Sequence, residues 1–357
     1  KWQVISEEPG LGRGPGDTFQ DETARHIVEN RGGYVAGRGG TGKSYMLRII
    51  KCLFQEAGFV VDIISTTHVQ AANIDGGTIR HFLHANARSK RHVIIVDESS
   101  MVSIRLWAAL AMMQFTGSYF VVLGDIGGQL PPIQDAHRLD YWRHIEFSGF
   151  MHGLCRGLRV ELNKFRRFED GVPGDYRHFE FVGSIYPDKV SFEEALARAR
   201  AEYGVSRRGG AAPDRGGVFN GTTLVTTNAR RIAINAEANR RLAPPWARFV
   251  KAEPNPKAPS QSQDAYLWPG LILASATTGG KHLKNGLRYR IVEVGESTTL
   301  QRVNDEGEIK GEPFQMPEAE VVRDLRLQHA ITYDSSQART IYGLLRLEQT
   351  DLSLIHI

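Results

Sequence analysis

The chain has 357 residues, 41% hydrophobic and 24% charged, enough for a substantial core and for two or three domains. No apolar run approaches the roughly 20 residues of a membrane-spanning helix, and Lys1-Trp2-Gln3-Val4 is not the start of a secretory signal, so a soluble intracellular protein is expected. The net charge of +4 admits a polyanionic partner, and two cysteines are too few for a disulfide framework or a cysteine-rich zinc site.

Short apolar strands alternate with amphipathic helices over the first 150 residues, with strands predicted at 33–36, 59–65, 92–96 and 119–123. Val93-Ile94-Ile95-Val96 lacks alternation, as expected of a parallel strand covered on both faces. Met46, Ile49, Ile50 and Leu53 mark a one-sided helix, and Cys52 on it is expected to fill the core. This order of elements predicts a parallel sheet with helices on both faces.

Between the first strand and that helix lies Gly37-Arg38-Gly39-Gly40-Thr41-Gly42-Lys43-Ser44, which fits G-x-x-x-x-G-K-[ST]. Glycines there let successive backbone N–H groups converge on phosphate oxygens, at the positive end of the following helix. Lys43 would reach the β- and γ-phosphates, and Ser44 would ligate Mg²⁺. The loop therefore predicts a bound nucleoside triphosphate with Mg²⁺. The strand at 92–96 runs into Asp97-Glu98: Asp97 would be the metal's second partner and Glu98 would activate water, against the plainer role of Asp97 as a helix cap. The next strand leads into Gly124-Asp125, and Gln129 beyond it could sense the γ-phosphate.

After Asp170 the pattern loosens, and 204–217 reads as a Gly- and Arg-rich loop. A strand at 223–226 and a helix at about 230–241 open a second α/β segment; Arg230, Arg231, Arg240 and Arg241 on that helix suit a solvated basic face as well as a binding one. Residues 254–263 read as a linker, and short strands at 271–274, 289–294 and 298–303 suggest a small β subdomain. No His spacing suits a metal other than Mg²⁺.

Together these motifs resemble those of superfamily 1 helicases, in the RecD-like branch that includes the petite-integration-frequency helicases. Gln20, seventeen residues before Gly37, is similar to that family's adenine-reading glutamine. Ser65-Thr66-Thr67-His68-Val69-Gln70-Ala71-Ala72, followed by Thr78 and Phe82, resembles its strand-contacting motif, although Phe82 suits a core equally well. Leu162-Asn163-Lys164-Phe165-Arg166-Arg167 resembles the motif that supplies an arginine to the γ-phosphate, with Arg167 or its neighbour Arg166 in that role. Thr226–Arg230, Asn285-Gly286 and the stretch from Ala330 to Thr340 are similar to the family's second domain, where Ser336 and Gln337 would contact the strand.

The resemblance implies a P-loop NTPase of two RecA-like parallel-sheet domains: 1–155 first, 156–245 and 319–357 second, with a small SH3-like β insertion at 246–318. It implies a monomeric motor that hydrolyses ATP between those domains, with Arg167 acting from the second, and that moves 5′-to-3′ on single-stranded DNA, RNA remaining open and membranes not involved. The sequence also departs from the family. Three residues separate Asp125 from Gln129 where the family has two, and Ser335-Ser336-Gln337-Ala338 stands for Lys-Ser-Gln-Gly. The final motif does not occur before Ile357, and the chain lacks an initiator Met, so a piece of a longer protein is expected. A nucleotide-binding remnant that binds DNA without unwinding it is the alternative. A GTP switch is excluded because Asn163-Lys164 is followed by Phe165-Arg166; a clamp-loader-type ring is disfavoured by Gly124-Asp125…Gln129.

Overall fold

The computed structural model describes residues 1–12, 18–85, 92–125, 141–167, 173–185, 190–203, 221–253, 262–278, 282–336, 339, 341 and 345–348. It divides into two compact units, Lys1–Thr66 with Gln70–Val205, and Thr67–Val69 with Ser206–Ile357. Among the described residues no helix is long and apolar enough to cross a membrane.

The strands of the first unit are β1 (Gln3–Ser6), β2 (Gly10–Leu11), β3 (Gly33–Gly37), β4 (Val60–Ser65), β5 (Gly77–Thr78), β6 (His92–Val96), β7 (Tyr119–Gly124), β8 (Leu158–Leu162) and β9 (Lys164–Phe165). Seven form one wholly parallel sheet in the order β1-β8-β3-β7-β6-β4-β5, and β2 pairs with β9 beside it. Its helices are α1 (Phe19–Asn30), α2 (Lys43–Glu56), α3 (His68–Asn73, of which Gln70–Asn73 fall in this unit), α4 (Ile79–Ala85), α5 (Ile104–Ala111), α6 (Tyr141–Glu146), α7 (Gly149–Leu154), α8 (Pro173–Ser184) and α9 (Phe192–Tyr203).

Successive residues of a strand point to opposite faces, so the central strands feed two cores. Val35, Val93, Ile95, Val121 and Leu123 pack with Ala24 and Ile27 of α1 and with Met46, Leu47, Ile50 and Phe54 of α2. Tyr34, Ile94, Val96 and Val122 pack on the other face with Phe82, Trp107, Leu110, Met151 and Leu154. Because every strand runs the same way, all the carboxyl ends share one edge, where ligands bind in such sheets. Cys52 corrects its expectation: it is exposed on α2, whereas Cys155 is buried. The period places an apolar stripe but does not decide how residues at its margin face.

Two expected boundaries also move. β8 lies between β1 and β3, and the first unit continues to Val205, so a division after 155 cuts through its sheet.

In the second unit, α10 (Asn228–Leu242) follows β10 (Thr222–Val225). β11 (Arg248–Val250) and β12 (Ala265–Leu267) form an antiparallel pair, and β13 (Ile272–Ser275), β14 (Arg288–Glu293), β15 (Ser297–Val303), β16 (Phe314–Pro317) and β17 (Leu325–Leu327) form an antiparallel sheet ordered β16-β15-β14-β13-β17. The insertion expected at 246–318 therefore reaches past α11 (Glu318–Asp324) to Leu327. β18 (Ala330–Thr332), α12 (Tyr333–Ser336) and β19 (Leu345–Leu347) complete the unit, with β10 between β18 and β19 in a parallel sheet.

α10 packs through a polar stripe, the buried Arg231, Asn235 and Asn239 at four-residue spacing. The Asn235 carboxamide donates to the Leu327 and Ala330 carbonyls at 3.1 and 3.0 Å and accepts from the Ala330 N–H at 2.7 Å. Asn239 clasps Tyr266 in the same manner, donating to its carbonyl at 3.0 Å and accepting from its N–H at 2.7 Å. Asn235→Leu keeps the bulk but strands buried backbone groups, each costing about 1–3 kcal/mol. The expected outcome is a clear drop in the denaturant midpoint of the transition that reports the second unit; an unchanged midpoint would show that the clasp contributes nothing.

Candidate nucleotide site

The phosphate loop connects β3 to α2. Its turn needs glycine at two positions: Gly40 and Gly42 have φ of 87° and 90°, in the left-handed region. A Cβ on Gly40 would lie 2.6 Å from the Phe165 ring, and one on Gly42 would lie 2.7 Å from Gln20 Nε2. Lys43 Nζ donates to the carbonyls of Gly37 and Arg38 at 2.7 and 3.2 Å, and the Thr41 hydroxyl donates to Arg38 at 2.8 Å. Gly39 is exposed and donates its N–H to Asp125 Oδ2 at 2.9 Å; Ser44 is exposed in the first turn of α2.

Asp97 follows β6 at the same edge, and its N–H donates to the Ile64 carbonyl at 2.9 Å. Its carboxyl is pushed up to about 7, chiefly by burial and next by the charge of Glu98, against the lowering influence of Lys43. Lys43 and Asp97 are thus within electrostatic reach of each other. Glu98 itself has a left-handed backbone, φ 55° and ψ 51°. A side chain there costs on the order of 1–3 kcal/mol, a strain found most often at functional sites.

A shell of residues holds the loop from behind. Gln20 is buried and donates to the carbonyls of Gly42 and Thr41 at 3.0 and 3.4 Å. Arg166 is buried in an ion pair with Glu7, and its guanidinium also donates to the Thr41 carbonyl at 3.1 Å. The Arg166 N–H donates to the Gly40 carbonyl at 2.8 Å, while Glu7 Oε2 accepts from the N–H groups of Asn163 and Lys164 at 3.0 and 2.9 Å. Arg38 stacks 3.6 Å from the centre of the Phe179 ring on α8 and donates to the Phe179 carbonyl at 2.9 Å.

Two expectations change accordingly. Arg166 and Arg167 belong to the first unit, not the second. Arg166 braces the loop, and Arg167 is exposed next to Gly40. Glu7 was missed by sequence reasoning, because an isolated glutamate outside any motif carries no signal until the fold brings Arg166 to it.

The strand-contacting candidates separate in a similar way. The hydroxyls of Thr66 and Ser65 donate to the buried Gln70 Oε1 at 2.7 and 2.9 Å, and Ser65 also donates to the Asp97 carbonyl at 3.2 Å. Gln70 thus joins Thr66 to Ser65, which reaches the Asp97 backbone carbonyl, a link that spacing alone could not reveal. Thr67 is exposed and His68 half-buried at the start of α3. Thr78 instead caps α4, accepting the His81 N–H at 3.3 Å. Phe82, 4% exposed, belongs to the core and is not available as a stacking face. The Ser336 hydroxyl donates to the Tyr333 carbonyl at 2.6 Å. Gln129 and Gln337 lie outside the described residues.

Residues 16–144 match the family described as an AAA domain. No curated protein matches the sequence. Among solved structures, a Bacteroides Pif1 bound to single-stranded DNA is 19% identical, with 92% of this chain and 84% of that one covered and a TM-score of 0.61. Pif1 helicase from Candida albicans is 17% identical over 91% of this chain and 87% of its own, with a TM-score of 0.60. A Bacteroides Pif1 helicase in complex with ADP-AlF3 and single-stranded DNA is 17% identical, covering 92% and 85%, with a TM-score of 0.59. These likenesses establish that the chain has the Pif1 helicase fold, a P-loop α/β architecture, over nine-tenths of its length.

Two measurements check this geometry. The Asp97 carboxyl is raised in the folded state, so its share of stability is complete below about pH 4 and is lost as pH rises through about 7. Asp97→Asn should therefore stabilise the nucleotide-free protein at pH 8, by on the order of 2–4 kcal/mol, and hardly at all at pH 4. Equal melting shifts at both pH values would refute the buried, crowded carboxylate. Glu7→Gln leaves Arg166 buried without its counter-charge, a loss worth about 3–5 kcal/mol. Thermal denaturation should show it, and a variant as stable as the parent would mean that the pair does not brace the loop.

Proposed function

From the Pif1 helicase fold and its AAA domain (residues 16–144), we propose that the chain is an ATP-dependent DNA helicase or translocase acting on single-stranded DNA. One observation carries the proposal: the phosphate loop, Lys43, Asp97 and Asp125 converge at one edge of the parallel sheet. The relatives solved with single-stranded DNA and with ADP-AlF3 support the same substrate and cofactor for this chain.

In this reading the N–H groups of residues 39–44 cradle the triphosphate and Lys43 leaves its loop carbonyls for the β- and γ-phosphates. Two adjacent acidic groups, one buried and hard to ionise alone, fit a divalent cation, which needs only one or two carboxylates alongside phosphate oxygens. Asp97 and Ser44 would hold Mg²⁺, which would neutralise charge on the phosphates. Glu98 orients and deprotonates the attacking water. Gln20 sets the loop while reading the base, and Arg167, exposed beside Gly40, is the arginine still free to reach the transferring phosphate. Gln129 would sense the γ-phosphate. Thr66, Thr67 and His68 would meet the strand in the first motif and Ser336 and Gln337 in the second, with Ser65 and Gln70 linking the Asp97 backbone to Thr66. Domain closure coupled to hydrolysis, 5′-to-3′ movement, a monomeric state and an RecA-like second domain complete the proposal.

The test is ATP turnover with and without an oligodeoxynucleotide. Turnover should rise with the oligonucleotide, and Lys43→Ala should lower it by on the order of 10²–10³. Strand binding should weaken steeply with salt, as phosphate contacts require. Binding without any turnover would favour the non-unwinding remnant, and undiminished turnover in Lys43→Ala would remove the nucleotide assignment.

A further inference from the structure

The guanidinium of Arg339 lies at the meeting point of three segments of the second unit. Nε donates to the Ser335 carbonyl at 2.9 Å, within the single turn of α12. Nη2 donates to the Gly286 carbonyl in the turn before β14. Nη1 pairs with Asp305 Oδ1 at 3.4 Å, in the turn after β15. The side chain is 4% exposed, so its charge is turned inward and is not offered to a ligand. Asp305 is shared with Arg288, whose Nη1 lies 3.5 Å from the same carboxylate oxygen and donates to the Asp305 carbonyl at 3.3 Å.

We infer that Arg339 is a positioning residue, a clamp that fixes the Ser335-Ser336 turn against the antiparallel sheet so that this turn can meet a single strand. The inference rests on the proposed helicase reading, in which Ser336 touches nucleic acid. Its physical basis is the geometry of the donor. Three nitrogens of one planar group fix three backbone or carboxylate oxygens in one arrangement, which a lysine with a single nitrogen cannot do. The turn is otherwise short and local: the Thr332 and Ser335 hydroxyls lie 2.8 Å apart, Ser335 donates its N–H to Thr332 Oγ1 at 3.3 Å, and Ser336 donates to Tyr333. Those bonds shape the turn, whereas Arg339 decides where it sits on the sheet.

Asp305 supplies the discriminating variant. Removing a negative charge from a protein that binds a polyanion should tighten binding if charge alone matters. A clamp predicts the opposite, because Asp305→Asn loosens Arg339. The experiment measures anisotropy of a labelled oligothymidylate with the full chain, for the parent, Asp305→Asn, Arg339→Lys, Arg339→Ala and the variant combining Asp305→Asn with Arg339→Ala. A fluorescent adenine nucleotide, which reads the first unit, and the melting curve are followed alongside. The expected result is roughly tenfold weaker strand binding for Asp305→Asn and for Arg339→Ala, with nucleotide affinity retained. The combined variant should be no weaker than the worse single one, since both act through one clamp. Tighter or unchanged binding in Asp305→Asn, or full rescue by Arg339→Lys, overturns the inference while leaving the helicase reading standing. A parent chain that does not bind oligothymidylate defeats the helicase reading first, and this inference with it.

Discussion

Asp97 ends a strand whose five residues are all buried, and its carboxylate is therefore held away from water within range of the Lys43 ammonium. Asp97 has little access to solvent, and Lys43 is half-buried. Lys43 turns its charge onto the carbonyls of its own loop, and burial with the charge of Glu98 pushes the Asp97 carboxyl up to about 7. In the proposed function a triphosphate with a bound cation would relieve this tension, giving Lys43 an anion and the carboxylates a cation.

That tension requires a loop that does not collapse, and the bracing residues are chosen accordingly. Backbone carbonyls of Gly40, Thr41 and Gly42 are all engaged from outside the loop, by the Arg166 N–H, the Arg166 guanidinium and the Gln20 carboxamide. With the carbonyls occupied on one side, the N–H groups remain directed to the other. Two N–H groups of the loop are engaged within the protein, that of Gly39 by Asp125 Oδ2 and that of Thr41 by the Arg38 carbonyl. In the proposed function both would be released to phosphate oxygens.

Much of this was legible in the sequence because it depends on local chemistry. The phosphate loop is written in consecutive residues, and the uninterrupted apolar run before Asp97 follows from burial on both faces of a parallel strand. Strand positions 92–96 and 119–123 correspond to β6 and to all but the last residue of β7. Long-range pairing was not legible. Glu7 meets Arg166 only because β1 joins the sheet beside β8, a pairing that spans most of the first unit. Phe82 shows a different limit: a ring four residues after Thr78 fits a stacking platform and a core equally, and only the packing of Trp107 and Leu110 around it decides. The paired arginines are likewise separated only by the fold, with Arg166 turned inward and Arg167 outward.

The two units differ in what specifies them. In the first, apolar side chains from alternate strand positions fill two cores, and such packing tolerates small changes in shape with graded losses. In the second, α10 is attached by carboxamides to the backbone of β12, β17 and β18, and Arg339 ties three turns by directional bonds. Directional contacts specify one arrangement but fail abruptly when a partner is lost, because a buried polar group is left unmet. Arg231, which suited a solvated basic face as well as a binding one, belongs to this scheme: it is almost completely buried, and burial lowers its pKa. A helix whose inward stripe is Arg, Asn and Asn reads as a surface helix by hydropathy, yet it is the element to which the rest of the unit is fastened.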